Sequence, residues 1–116
     1  MRVKICGLHP LRDVKLCIDL GVNFLGFVFY EKSPRNLNLN DIQKLKSYNK
    51  KKSFFVAVTV NPQDTFIENV VLKNFDFIQL HGSESNERVE EIRAKGIKII
   101  KTIKIKFKQK YKNCAD

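Results

Sequence analysis

A chain of 116 residues, 43% of them hydrophobic, is the size of one ordinary domain with enough apolar surface to bury a core. Its apolar runs are a few residues long, far below the roughly 20 that cross a bilayer, and the amino terminus lacks the apolar stretch of a signal peptide, so a cytoplasmic protein is expected. The net charge of +10 raises the question of a polyanion or an anionic membrane as partner.

The lysines answer part of that question by where they fall. Lys98, Lys101, Lys104, Lys106, Lys108, Lys110 and Lys112 form one series, and Lys44, Lys46, Lys50, Lys51 and Lys52 lie at the end of a predicted helix. No zinc finger, recognition helix or RNP-like aromatic motif accompanies them, so neither sequence-specific nucleic-acid binding nor membrane attachment is expected. Cys6, Cys17 and Cys114 are odd in number and widely spaced, which fits neither a disulfide framework nor a zinc site of paired ligands. A reducing compartment follows, with Cys17 a small core residue.

In chain order, residues 2–6 alternate so that Lys4 and Cys6 share one face of a strand and Val3 and Ile5 the other. Two polar residues on one face of a buried parallel strand suit the inside of a barrel near its mouth, with the apolar face packed on outer helices. Gly7 ends the strand, leaving the Cys6 sulfur at the rim of a sheet where the backbone turns away. From Pro10 to Leu20, Leu11, Val14, Cys17 and Ile18 recur at helical steps, and Gly21 closes that helix. Phe24 to Phe29 is nearly all apolar, as expected of a strand covered on both faces.

The loop from Tyr30 through Ser33-Pro34-Arg35 follows that strand. Pro34 stiffens it, and Arg35 offers a planar fork suited to a carboxylate, although an arginine in a loop is by default a solvated one. Asn38 caps a second helix running to about Tyr48, with Leu39, Ile42 and Leu45 on its buried side. Phe54 to Val60 forms a third strand. Asn61-Pro62-Gln63-Asp64 then reads as a helix start, with Asn61 the cap and Pro62 at the first helical position, and the helix buries Ile67, Val70 and Val71. Phe77 to His81 is a fourth strand in which Gln79 and His81 share a face. His81 either lines a pocket or braces a loop. A fourth helix follows Gly82 and Ser83 to about Lys95, and residues 97–103 form a fifth strand.

Five strands and four helices thus alternate, which implies a parallel sheet with right-handed crossovers. An open doubly wound sheet and a (β/α)8 barrel both fit that order. No glycine-rich phosphate loop follows the first strand, whereas Cys6, Arg35, Asn61, Gln79 and His81 gather at the carboxyl ends of successive strands, the catalytic rim of a barrel.

Lys4-Ile5-Cys6-Gly7, Gly26-Phe27-Val28-Phe29-Tyr30 with Ser33-Pro34-Arg35, and Gln79-Leu80-His81-Gly82 together resemble the phosphoribosylanthranilate isomerases of tryptophan biosynthesis, in the same order and at compatible spacings. The resemblance implies an α/β chain of the (β/α)8 TIM-barrel family, here about five parallel strands and four helices, with residues 1–116 the N-terminal portion of one barrel domain cut before its later strands. It implies an Amadori rearrangement without a cofactor or metal. An acid opens the ribosylamine ring to a Schiff base, and a base takes the proton from C2. Cys6 matches the family's general base, and Lys4 on the same face is a source of positive potential that would help a thiol, mostly protonated at neutral pH, to act. Arg35 matches the arginine that holds the anthranilate part, and Gln79 and His81 the pocket lining.

The family's general acid is an aspartate in a segment of the type Leu-Leu-Asp-Thr, which this sequence does not reach. Asp116 matches an earlier aspartate, and the phosphate loops are also missing. The 116-residue chain alone is therefore expected to be inactive and to associate through its open strand edges. Two other readings stand beside this one: a basic, non-enzymatic module that grips RNA or another polyanion, and a half-barrel that works only with a partner chain.

Overall fold

The structure, a computed structural model, describes residues 3–7, 12–30 and 38–101. Its elements are β1 (Lys4–Cys6), α1 (Arg12–Asp19), β2 (Phe24–Phe29), α2 (Leu39–Leu45), β3 (Phe54–Thr59), a helical rod α3, β4 (Phe77–Leu80), α4 (Asn86–Arg93) and β5 (Lys98–Lys101). The rod α3 runs as an α turn (Asp64–Phe66), a π-helical stretch (Ile67–Val71) and another α turn (Leu72–Asn74). Asn38 caps α2 in a reciprocal capping box, its side chain accepting from the Asp41 N–H while its own N–H donates to the Asp41 carboxylate. Gly21 closes α1 as the sequence suggested, with the Val22 N–H reaching back to the Cys17 carbonyl.

All strand pairs are parallel, and the strand order is β1-β2-β3-β4-β5. This order decides between the two architectures. A doubly wound sheet must reverse its strand order to place helices on both faces, whereas strictly sequential right-handed crossovers put every helix on one side. The opposite face is then free to curl into the inside of a barrel.

Register sorts the side chains onto those faces. Cys6 pairs with Gly26, Gly26 with Val56, Val56 with Phe77 and Phe77 with Lys98. Lys4 lies beside Phe24, and Gln79 beside Val58 and Ile100. These residues line the inner face. The alternate set turns toward the helices and forms the core, in which Leu25, Phe27, Phe55, Ala57, Ile78 and Leu80 meet Val14, Ile18, Ile67, Val71 and Ile92. Burial of that apolar set against the helices is the main force holding the layers together. On the inner face, the Phe24, Phe54 and Phe77 rings meet in a triangle with centroids 5.5–5.7 Å apart, yet Phe54 remains 44% exposed.

Several expected details change. β2 is covered fully on one face only, because its Phe24 and Val28 point to the open inner side. The apolar face of β1 is also incompletely packed, with Ile5 37% exposed, since β1 has a single neighbouring strand among the described residues. α2 stops at Leu45 rather than near Tyr48, and α4 begins at Asn86, capped by the Ser85 hydroxyl. The start of α3 differs most. Gln63, not Asn61, is its N-cap, and Pro62 precedes the helix. Asn61 sits at φ 44°, a left-handed conformation that asparagine tolerates better than most residues, and its N–H is taken by Glu84.

Among the described lysines, Lys15, Lys50, Lys51, Lys95 and Lys101 stand in ion pairs. Lys50 meets Asp76 at 2.6 Å, Lys15 and Lys51 both meet Asp19, and Lys95 faces Asp64 and Glu68. Residues 104–112 and Cys114 lie outside the described residues, and within the described ones no helix is long and apolar enough to cross a membrane.

Candidate active site

The site begins at the carboxyl end of β1. Gly7 takes φ 73°, a conformation open to glycine at little cost, and its N–H donates to the Gly26 carbonyl at 2.9 Å. The chain therefore leaves the sheet immediately after Cys6, whose side chain is exposed on the inner face. The Lys4 ammonium, two residues earlier on the same face, donates to the Cys6 sulfur.

Gly26 makes room for that thiol. A Cβ built there would stand 3.0 Å from Cys6 Sγ, 3.2 Å from Cys6 Cα and 3.2 Å from Val58 Cγ2. The sulfur and the Val58 methyl could give way by side-chain rotation, but the Cys6 Cα could not move without disturbing the β1–β2 pairing. Gly26→Ala should therefore cost about 1–3 kcal/mol of stability, read as a lower urea midpoint, and should change the rate at which iodoacetamide labels Cys6.

Across the sheet, β4 contributes Gln79, and His81 follows it directly. The His81 N–H donates to the Thr59 carbonyl at 2.8 Å, and the buried Thr59 hydroxyl donates to the Gln79 carbonyl at 3.0 Å. Both backbone positions are thereby tied to the end of β3. Lys4, Cys6 and Gln79 thus share the inner face, with Cys6 and His81 at the rim. Arg35 lies outside the described residues.

Sequence reasoning did not single out Glu84. Its side chain is only 1% exposed, and its carboxylate accepts from the Asn61 N–H at 2.8 Å, the Gly82 N–H at 3.1 Å and the Lys101 ammonium at 3.0 Å. The loops after β3 and β4 and the end of β5 thus converge on one acid. No local signal separates Glu84 from the exposed Glu87, Glu90 and Glu91 nearby. Burial opposes its ionisation, but the Lys101 hydrogen bond, the Asn61 N–H and the Lys101 charge outweigh it and hold the carboxyl below its usual range. A carboxyl lowered in the folded state contributes stability that is present above the ordinary carboxylate pKa and is lost as pH falls through the folded value. Urea midpoints should therefore drop on acidification in the wild-type chain and drop less steeply in Glu84→Gln.

Further out, Arg88 on α4 bonds the Asp64 carboxylate at 2.7 Å and the Pro62 carbonyl at 2.9 Å, fastening α4 to the start of α3. A cavity of about 260 Å³ lined by Phe54, Phe75, Phe77 and Ile97 opens at the amino-terminal ends of the strands, away from the rim. Among the described residues, no three His, Cys, Asp or Glu side chains are placed to hold a metal ion.

The family model for N-(5'-phosphoribosyl)anthranilate isomerase matches residues 3–115. The chain belongs to this family. An isomerase of that name from Cereibacter sphaeroides is 41% identical over 105 residues, covering 89% of this chain and 50% of the relative, and one from Staphylococcus aureus is 39% identical over 106 residues, with the same two shares. Among solved structures, phosphoribosyl anthranilate isomerase in complex with reduced 1-(o-carboxyphenylamino)-1-deoxyribulose 5-phosphate superposes with a TM-score of 0.83 at 31% identity, covering 98% of this chain and 59% of that one. The Thermotoga maritima isomerase gives the same TM-score and identity, with 98% and 56% covered. The chain spans about half the length of the curated relatives it matches. Its five parallel strands with their helices correspond to part of the (β/α)8 barrel of these isomerases.

Proposed function

We propose that this chain carries the general-base side of an active site that converts N-(5-phosphoribosyl)anthranilate to 1-(2-carboxyphenylamino)-1-deoxyribulose 5-phosphate, a step of tryptophan biosynthesis in the cytoplasm. The observation that carries the reading is the exposed Cys6 thiol at the inner rim, hydrogen-bonded by Lys4 and given space by Gly26. Once an acid has opened the ring to a Schiff base, Cys6 as thiolate takes the proton from C2. The electron pair of that C–H bond forms a C1–C2 double bond as the C1–N π pair returns to the iminium nitrogen, leaving an enolamine, which becomes the ketose by losing the proton of its C2 hydroxyl and gaining one at C1. Arg35 receives the anthranilate carboxylate through its planar fork, and Gln79 and His81 line the pocket.

Residues 1–116 act in this reading as the first part of one barrel domain, with the general acid and the phosphate-binding loops supplied by later strands. The chain by itself is then inactive and self-associates through the open edges of β1 and β5. The test is loss of phosphoribosylanthranilate fluorescence in a hybrid barrel, in which residues 1–116 replace the matching half of the Staphylococcus aureus relative. Turnover by the hybrid supports the reading, and a folded but silent hybrid contradicts it.

A further inference from the structure

Glu84 joins three segments that share no local sequence. Its carboxylate takes one N–H from the loop after β3, one from the loop after β4 and a lysine from β5. Lys101 also donates to the Gly82 carbonyl at 3.4 Å, so the turn that follows His81 is gripped at its N–H and at its C=O. On the other side of His81, the Thr59 carbonyl and hydroxyl hold the backbone of residues 79–81. The stretch Gln79 to Gly82 is therefore clamped from both flanks, and only the Glu84 flank depends on a charge.

We propose that Glu84 is a positioning residue: its buried carboxylate, through Asn61, Gly82 and Lys101, fixes the rim backbone that presents Gln79 and His81 to the inner face. The importance of that presentation rests on the isomerase reading above. The chemistry requires the anion. All three partners are donors, so an amide of the same shape would turn an NH₂ group against at least one of them. A space-filling role would tolerate glutamine; an anion-anchoring role does not. Lys101 from β5 is the charged group that faces the carboxylate, and the loops after β3 and β4 contribute backbone N–H groups.

The test is an NMR pH titration of the isotopically labelled 116-residue chain, wild type and Glu84→Gln, with Lys101→Met as a second variant should the first fail to fold. In the wild type, the Asn61 and Gly82 amide signals should move together through one transition below the usual carboxylate range. In Glu84→Gln, that transition should vanish from both, the Gln79 and His81 signals should shift, and those of Lys4, Cys6 and Gly26 should stay in place. Lys101→Met should move the shared transition to higher pH. Independent movement of the two amides, unchanged Gln79 and His81 signals in Glu84→Gln, or equal disturbance of β1 would overturn the proposal. The outcome is separable from the activity: a folded hybrid barrel without turnover sinks the isomerase reading while leaving this amide pattern intact.

Discussion

Cys6→Ala in the hybrid barrel is expected to lower turnover of phosphoribosylanthranilate by roughly 10²–10⁴-fold, the usual contribution of a positioned acid–base group, with little change in folding. The expectation of unchanged folding follows from exposure: the thiol projects onto the inner face and is not part of the core that packs against the helices. Alanine keeps the strand's Cβ and the parallel pairing with Gly26. The loss should fall on kcat, because the sulfur moves the proton in the transition state and is not assigned to hold the substrate beforehand. Wild-type turnover in the variant would remove Cys6 from the chemistry and leave Lys4 as an ordinary edge-strand lysine.

Phe27→Ala is expected to have the largest effect on stability, about 3–5 kcal/mol. Phe27 is fully buried on the helix face, with the Phe55 ring 5.1 Å away edge-on and the Phe75 ring at 6.1 Å. Its removal would leave a void that surrounding rings on two other elements cannot fill. Such a loss is comparable to the whole stability of a small domain, so Phe27→Leu, which removes less volume, provides a measurable companion. Phe54→Ala is the contrast. That ring is 44% exposed on the inner face, and its removal should cost only about 1 kcal/mol, the scale of its pairing with two neighbouring rings. Urea titrations of both variants therefore read out which face of the sheet the helices cover. Similar losses at the two positions would contradict the assignment of an open inner face.

Much of this arrangement was legible in the sequence because it follows from short periods. Alternation placed Lys4 with Cys6 on one face of β1, and three- and four-residue steps located α1 and the buried Ile67 and Val71 of α3. The family resemblance rested on the same rim residues. Contacts between segments distant in sequence were not legible. Asn61-Pro62 has the composition of a helix start, but the Asn61 N–H is captured 23 residues away by Glu84, which favours a left-handed turn and delays α3. Glu84 itself carries no mark of burial in its neighbourhood. Gly26 stood inside a quoted motif, yet its use became visible only when register placed it against the Cys6 sulfur. Arg35, the residue assigned to the anthranilate carboxylate, lies outside the described residues, and its role rests on the resemblance.

The most direct test of the account is the fluorescence assay run side by side on the purified 116-residue chain, the hybrid barrel and the hybrid bearing Cys6→Ala. The account predicts turnover in the hybrid alone. Turnover by the isolated chain, or equal turnover by the two hybrids, would contradict it.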